Sequence, residues 1–143
     1  MTSRLEIYLA LIEDWKRKDI DAVLARLTDD IVWHYAVAAQ PPLKSKRAAR
    51  KFLENFAGIL GEVRWRVFDA AEVGDKLFVE GVDEFFTKDG IRVATPYAGV
   101  LEFRGDLICG WRDYFDGAVA DAMRGGYAAS PQVEDLIARP VIA

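Results

Sequence analysis

The chain has 143 residues, 52% of them hydrophobic and 29% charged, a proportion that builds one cored domain and excludes collagen-like, low-complexity or largely disordered structure. Its 19 Lys and Arg against 23 Asp and Glu leave a formal charge of −4, which offers phosphate backbones no general attraction and excludes nucleic acid as the expected partner. One cysteine, Cys109, cannot close an internal disulfide, and the sequence shows neither an apolar signal core nor a bilayer-length apolar run, so a reducing, cytoplasmic setting without a membrane partner is expected.

From Ser3 onward Leu5, Tyr8, Leu9, Ile12 and Trp15 recur on one helical face, and Ser3 with Glu6 has the form of a capping box, so the spacing predicts an amphipathic first helix. Asp19 or Asp21 can cap a second, shorter helix carrying Val23, Leu24 and Leu27. Ile31 to Tyr35 has strand composition. Pro41-Pro42 then marks a loop within residues 36–43, before a third helix that begins near Ser45 and carries Ala49, Phe52, Leu53, Phe56 and Leu60.

Beyond that helix the period changes to two. Val63, Trp65 and Val67 alternate with Arg64, Arg66 and Phe68, and turn pairs at Gly74-Asp75, Asp89-Gly90 and Gly105-Asp106 predict four antiparallel strands in a meander. Gly99 and Gly110 suit bulges or sharp bends, and Pro96, lacking an amide hydrogen, requires a bulge or an unpaired edge. Asp116 can cap a short helix through Met123, and Ser130-Pro131 with Glu134 can begin another. The order of elements predicts an α+β fold in which a strongly curved mixed or antiparallel sheet wraps its N-terminal helices and encloses a pocket.

Two aspartates stand in apolar strand contexts. Alternation puts Asp83 on the face of Val79, Gly81 and Phe85, and Asp113 on the face of Trp111 and Phe115, where desolvation raises an acid's pKa. Should they meet, repulsion favours one shared proton, giving a base and an acid near neutral pH. Alternatively each pairs with an arginine such as Arg92 or Arg112. The sole histidine, His34, alternates away from Trp33 and Tyr35 and is expected to be a hydrogen-bonded or interface residue; Cys109, on the face expected for Trp111 and Asp113, has no activating base and is expected to be a buried inert thiol.

The segment from Ile108 through Gly110-Trp111-Arg112-Asp113-Tyr114-Phe115 to Asp116, preceded by Gly99 to Phe103, resembles the closing hairpin of limonene-1,2-epoxide hydrolase and related SnoaL-like polyketide cyclases of the nuclear transport factor 2-like superfamily. The resemblance extends from the first helix to about Met123. It implies a cone-shaped barrel of that superfamily over residues 1–124; residues 125–143 are a C-terminal tail beyond the clear resemblance, for which closing the pocket, packing on a dimer partner and lying on the surface stay open. It also implies that Asp113 corresponds to the base that takes a proton from water and Asp83 to the general acid. Three positions depart from the pattern: Gly81 stands where the family has a bridging arginine, Trp33 where it has a tyrosine, and Tyr35 where it has an asparagine. Tyr35 can replace the asparagine in positioning an oxygen, and Gly81 is expected to make room for Trp33.

The same resemblance implies pocket walls of Ile12, Trp15, Leu60, Trp65, Phe85, Thr95, Tyr97 and Phe115, with Trp33 and Gly81 beside them, suited to a small apolar molecule. The expected function is cofactor-independent acid–base catalysis by Asp83, Asp113 and Tyr35, with no metal: a hydrolase, isomerase, cyclase or dehydratase, strict limonene-epoxide hydrolysis being disfavoured by the missing arginine. The alternative is a non-catalytic ligand-binding or dimerisation module. A homodimer is implied by the family, with Arg64, Arg66, Arg112 and Tyr114 as interface candidates.

Overall fold

The computed structural model describes residues 2–37 and 39–143; Met1, and Ala38 within the loop expected over residues 36–43, lie outside the described residues. Helix α1 (Arg4–Lys16) starts on the expected capping box, in which Ser3 Oγ accepts from the Glu6 amide at 3.1 Å and Glu6 accepts from the Ser3 amide at 3.4 Å. Its buried row of Ile7, Tyr8, Leu11, Ile12 and Trp15 faces the core. Asp14 is buried as well, and two guanidinium groups hold it: Arg17 at 2.7 Å and Arg26 at 2.6 Å, the second tying α1 to the end of α2 (Ile20–Ala25). Asp19 caps α2 and Ser45 caps α3 (Lys46–Ile59), each side chain accepting an amide from the first helical turn.

Six strands form one sheet. Strand β1 (Leu27–His34) pairs in parallel with β6 (Leu107–Phe115), and antiparallel pairing continues through β5 (Arg92–Arg104) and β4 (Lys76–Thr87) to β2 (Leu60–Val63). Strand β3 (Arg66–Val73) lies further along β4, so the run read as one strand from Val63 is broken between β2 and β3. Gly74, Gly90 and Gly105 adopt positive φ at the three hairpin turns, the conformation that Gly provides without steric cost. The sheet curls into a half-barrel around α1, α2 and α3, and its inward row, including Leu77, Val79, Leu101, Phe103 and Trp111, is buried.

Bulges reset the side-chain parity at two places where simple alternation fails. Between Val67 and Asp69 the register with β4 shifts, and Val67 and Phe68 are both buried. Between the pairs Glu102–Gly110 and Phe103–Ile108, Cys109 is the extra residue, so it leaves the Trp111 face. Its thiol is half-buried, 3.5 Å from the Glu102 carbonyl, and desolvation raises its pKa, which keeps it protonated and unreactive. Pro96 sits in unbroken register opposite Val82, one residue past the Tyr97–Phe115 pair where β6 ends, so its missing amide hydrogen leaves no bond unmade on that side.

After β6, Asp116 caps α4 (Gly117–Arg124) and Ser130 caps α5 (Pro131–Ile137). The C-terminal stretch packs on the chain itself. Arg92 reaches Glu134 at 2.6 Å, Arg139 reaches Glu80 at 3.0 Å and lies over the Phe68 ring, and the Ala143 carbonyl accepts from the Val67 amide on the open edge of β3. On the outer face Glu84 is 4% exposed and held by Arg66 at 2.7 Å and Arg92 at 2.6 Å. Burial alone would raise the Glu84 pKa, but the two guanidinium groups outweigh it and the net shift is downward. The stabilisation from this group is therefore present above the ordinary glutamate range and is lost as pH falls through it. Glu84→Gln is expected to cost about 1–3 kcal/mol in urea denaturation at neutral pH and to remove part of the acid sensitivity of the wild type.

Candidate active site

A cavity of about 740 Å³ opens between α1, α3, α4 and the concave face of the sheet. Strand pleating aims Asp83 from β4 and Asp113 from β6 into it, together with Phe85, Thr95, Tyr97 and Trp111. The loop after β1 folds back on its own strand through the mutual Trp33 and Leu43 backbone bonds of 2.8 and 2.9 Å, which sets Trp33 and Tyr35 in the wall. The Tyr35 ring rests against Phe52 of α3 with centroids 4.3 Å apart.

Three indoles pile across the floor. Trp33 stacks on Trp111 at 4.5 Å and 12°, and Trp111 on Trp65 at 6.3 Å and 14°, while Tyr8 meets both Trp65 and Trp111 edge-on. The polar tips of these rings are mostly tied together: Trp65 Nε1 donates to the Tyr97 hydroxyl at 2.7 Å, Tyr8 and Tyr97 share a 2.8 Å bond, and Trp111 Nε1 donates to Asp113 Oδ1 at 3.2 Å.

Neither aspartate pairs with the arginines weighed from sequence. Arg92 is taken by Glu84 and Glu134, and Arg112 lies 3.5 Å from Glu102. Desolvation therefore dominates both acids. It lifts Asp83 to about 6, opposed by the charge of Arg124. It lifts Asp113 to about 8, the Asp83 charge adding to the rise and the Trp111 indole opposing it. Both acids are thus lifted toward neutrality, and the Arg124 charge favours the ionised form of Asp83.

Most of the expected wall is present: Trp15, Trp33, Tyr35, Trp65, Phe85, Thr95, Tyr97 and Phe115 all line the cavity. Ile12 and Leu60 do not. On α1 the lining residues are Leu11 and Trp15, one turn apart, whereas Ile12 turns aside into the core; Leu60, fully buried at the start of β2, accepts from Lys18 Nζ through its carbonyl. Gly81 is also outside the lining, and its small size serves a purpose other than housing Trp33. A Cβ there would collide with the Arg66 carbonyl and come within 3.0 Å of the Tyr97 hydroxyl, so the position cannot carry the bridging arginine of the resembling family without moving β3. Gly99 is not at a bulge; it faces Asp113 across the β5–β6 ladder, and a Cβ there would lie 2.9 Å from Asp113 Oδ1. His34 is outside the lining, paired in register with Arg112.

Arg124 escaped the sequence reading. It ends α4 and lines the cavity with Gly117, Ala120 and Asp121, a spacing of three, four and seven that marks one helix face and was available as a signal. Its guanidinium is 3.5 Å from Asp121 and mostly exposed. Helix α3 supplies a similar missed row of Phe52, Asn55, Phe56 and Ile59.

The two acids are expected to titrate as a coupled pair in carboxyl-carbon NMR, with steps near 6 and 8. Asp83→Asn should lower the Asp113 step, because the like charge is gone, yet leave it above the ordinary aspartate range, because burial remains. A raised folded-state pKa means that the native protein holds the proton more tightly than the unfolded chain, so stability falls as pH rises from the unfolded value toward about 8. Asp113→Asn should remove the Asp113 share of that fall, leave the share of Asp83, and raise the melting temperature at pH 8, a result read by calorimetry.

The SnoaL-like domain model matches residues 8–111. No curated protein matches the chain. Among solved structures, an LEH-like epoxide hydrolase from M. tuberculosis is 23% identical with a TM-score of 0.73, over 84% of this chain and 87% of that one. A protein with a ketosteroid isomerase-like fold from Catenulispora acidiphila, in complex with trimethylamine, is 21% identical with a TM-score of 0.74, over 84% and 92%. A candidate SnoaL-like polyketide cyclase from Shewanella putrefaciens is 14% identical with a TM-score of 0.78, over 89% and 99%. At such identities the likeness is one of fold. With the family model spanning most of the chain and the curled sheet enclosing its cavity, the protein belongs to the SnoaL-like domain family and has the nuclear transport factor 2-like fold of its structural neighbours.

Proposed function

We propose that the protein is a cofactor-independent acid–base enzyme acting on a small lipophilic molecule held in the aromatic cavity. The observation that carries this reading is the convergence of Asp83 and Asp113 on one apolar space, neither neutralised by an ion-paired arginine and both lifted toward neutrality. The reaction class is water addition, as in epoxide opening, or proton transfer, as in an isomerase, cyclase or dehydratase.

We assign the roles in the opposite sense to the family resemblance, because the charge of Arg124 favours an ionised Asp83. Near pH 7 Asp83 is the ionised acceptor and Asp113 the protonated donor. In an epoxide opening, Asp83 takes a proton from water as the water oxygen bonds to carbon. The carbon–oxygen bond breaks, and the proton of Asp113 passes to the departing oxygen. The product is a diol, and solvent exchange returns the proton from Asp83 to Asp113. Tyr35, at the wall against Phe52 of α3, positions the water or substrate oxygen in place of the family's asparagine.

A screen of epoxides and enones should find a substrate whose turnover falls at least about 10²-fold in Asp83→Asn and in Asp113→Asn, with the fold retained. For the wild type, kcat/KM should follow a bell with limbs near 6 and 8. Retained turnover in both variants removes the pair from the mechanism; binding without turnover in the wild type supports the ligand-binding alternative.

The chain is further proposed to be a cytoplasmic homodimer. No helix among the described residues is long and apolar enough to cross a membrane. The outer sheet face that the C-terminal stretch leaves open presents Phe78 and Tyr114, 41% and 49% exposed, around the Arg112–Glu102 pair. Arg64 and Arg66 are engaged by Glu62 and Glu84 and are weaker interface candidates. Light scattering should give a dimer mass for the wild type and a monomer mass for Phe78→Glu with Tyr114→Glu; an unchanged mass places any interface elsewhere.

A further inference from the structure

The tyrosine pair at the cavity floor holds two hydroxyl hydrogens and one bond between them. Tyr8 is completely buried, and among the described residues its hydroxyl has one hydrogen-bond partner, Tyr97 at 2.8 Å. If Tyr97 donated, the Tyr8 hydrogen would be left inside the protein without an acceptor, at the full desolvation penalty of an orphaned donor. Tyr8 therefore donates. The Trp65 indole nitrogen has no acceptor capacity, so its 2.7 Å bond also runs toward the Tyr97 oxygen. Both acceptor positions of Tyr97 are filled from within the protein, and its own hydrogen is the one left over.

Tyr97, unlike Tyr8, lines the cavity. Its hydroxyl is kept in place by Gly81, where any Cβ would press within 3.0 Å of it. Among the described residues no hydrogen bond joins it to Asp83 or Asp113, and burial holds the phenol neutral across the working pH range. Two accepted bonds polarise an O–H group and strengthen what it donates.

We propose that Tyr97 is the cavity's fixed hydrogen-bond donor, and that the molecule bound there is a lipophilic ring bearing a carbonyl, ether or epoxide oxygen set against this hydroxyl. The proposal rests on the reading of the cavity as a ligand site and adds to it the oxygen-anchoring residue and the chemical class that it selects. The Trp65 and Tyr8 hydroxyl-directed bonds make Tyr97 a donor by arrangement, since an acceptor on the ligand has no competitor within the floor.

The test compares 1-tetralone with tetralin, the same ring system with and without the oxygen, by quenching of the indole fluorescence. Wild type is expected to bind 1-tetralone about three- to tenfold more tightly, the range of one neutral hydrogen bond. Tyr97→Phe should bring the two affinities together and leave that of tetralin unchanged. The carbonyl stretch of bound 1-tetralone should lie at lower wavenumber in wild type than in Tyr97→Phe, a shift that a packing role does not produce. Tyr8→Phe gives the sign of the argument: removing a donor to Tyr97 should weaken the preference, whereas a rise would mean that Tyr97 had been donating to Tyr8 and would overturn the proposal. A preference that persists in Tyr97→Phe also overturns it and assigns the oxygen to protonated Asp113. Equal binding of both rings to wild type refutes the anchoring role alone, while failure of both rings to bind removes the ligand-site reading and this proposal with it.

Discussion

Withdrawing two carboxyl groups from water into one aromatic space is the constraint on which the remaining features of this protein depend. An ionised carboxylate in such a space must find a cation, find donors or take up a proton. Asp113 has a single indole donor and Asp83 the field of Arg124 at the cavity edge, which is too little to hold both charged at neutral pH. Repulsion between the two raises both, and the cation favours the ionised form of Asp83. Two carboxyls held above their ordinary pKa cost the folded state stability as pH rises.

The space itself is made by small residues as much as by large ones. The indole pile needs close backbone approach, and the two glycines on the inner sheet face leave room for specific atoms: Gly99 for an Asp113 oxygen, Gly81 for the Tyr97 ring and the Arg66 carbonyl. A residue with a Cβ at either place would move a functional group before it disturbed the hydrophobic core. Gly81 also explains the departure from the resembling family. Where that family places a guanidinium between its two acids, this chain has Tyr97 and no space, and among the described residues the one cation in the lining arrives from a different element, at the end of α4.

That substitution of elements changes the chemistry open to the site. An arginine between two carboxylates holds both ionised or shares their hydrogen bonds; a cation on one side of the pair acts mainly on one acid and leaves the other to burial.

Local signals were legible wherever a few neighbouring residues decide the outcome. Ser3 with Glu6, Asp19, Ser45, Asp116 and Ser130 satisfy helix amides within their own first turn, and Gly74, Gly90 and Gly105 supply hairpin turns, so these boundaries could be read from the chain. The inward direction of Asp83 and Asp113 was legible for the same reason, as strand alternation relates each to its immediate neighbours. What only the tertiary structure decided was everything that depends on pairing across elements. The bulge opposite Glu102 turned Cys109 off the inner face, β1 joined β6 in parallel, α4 brought Arg124 to the cavity, and Tyr97 took the space beside Gly81. Residue type and spacing determine which groups a strand or helix presents, but desolvation and the fields of distant charges exist only once the sheet has closed around them, and those are what assign the proton.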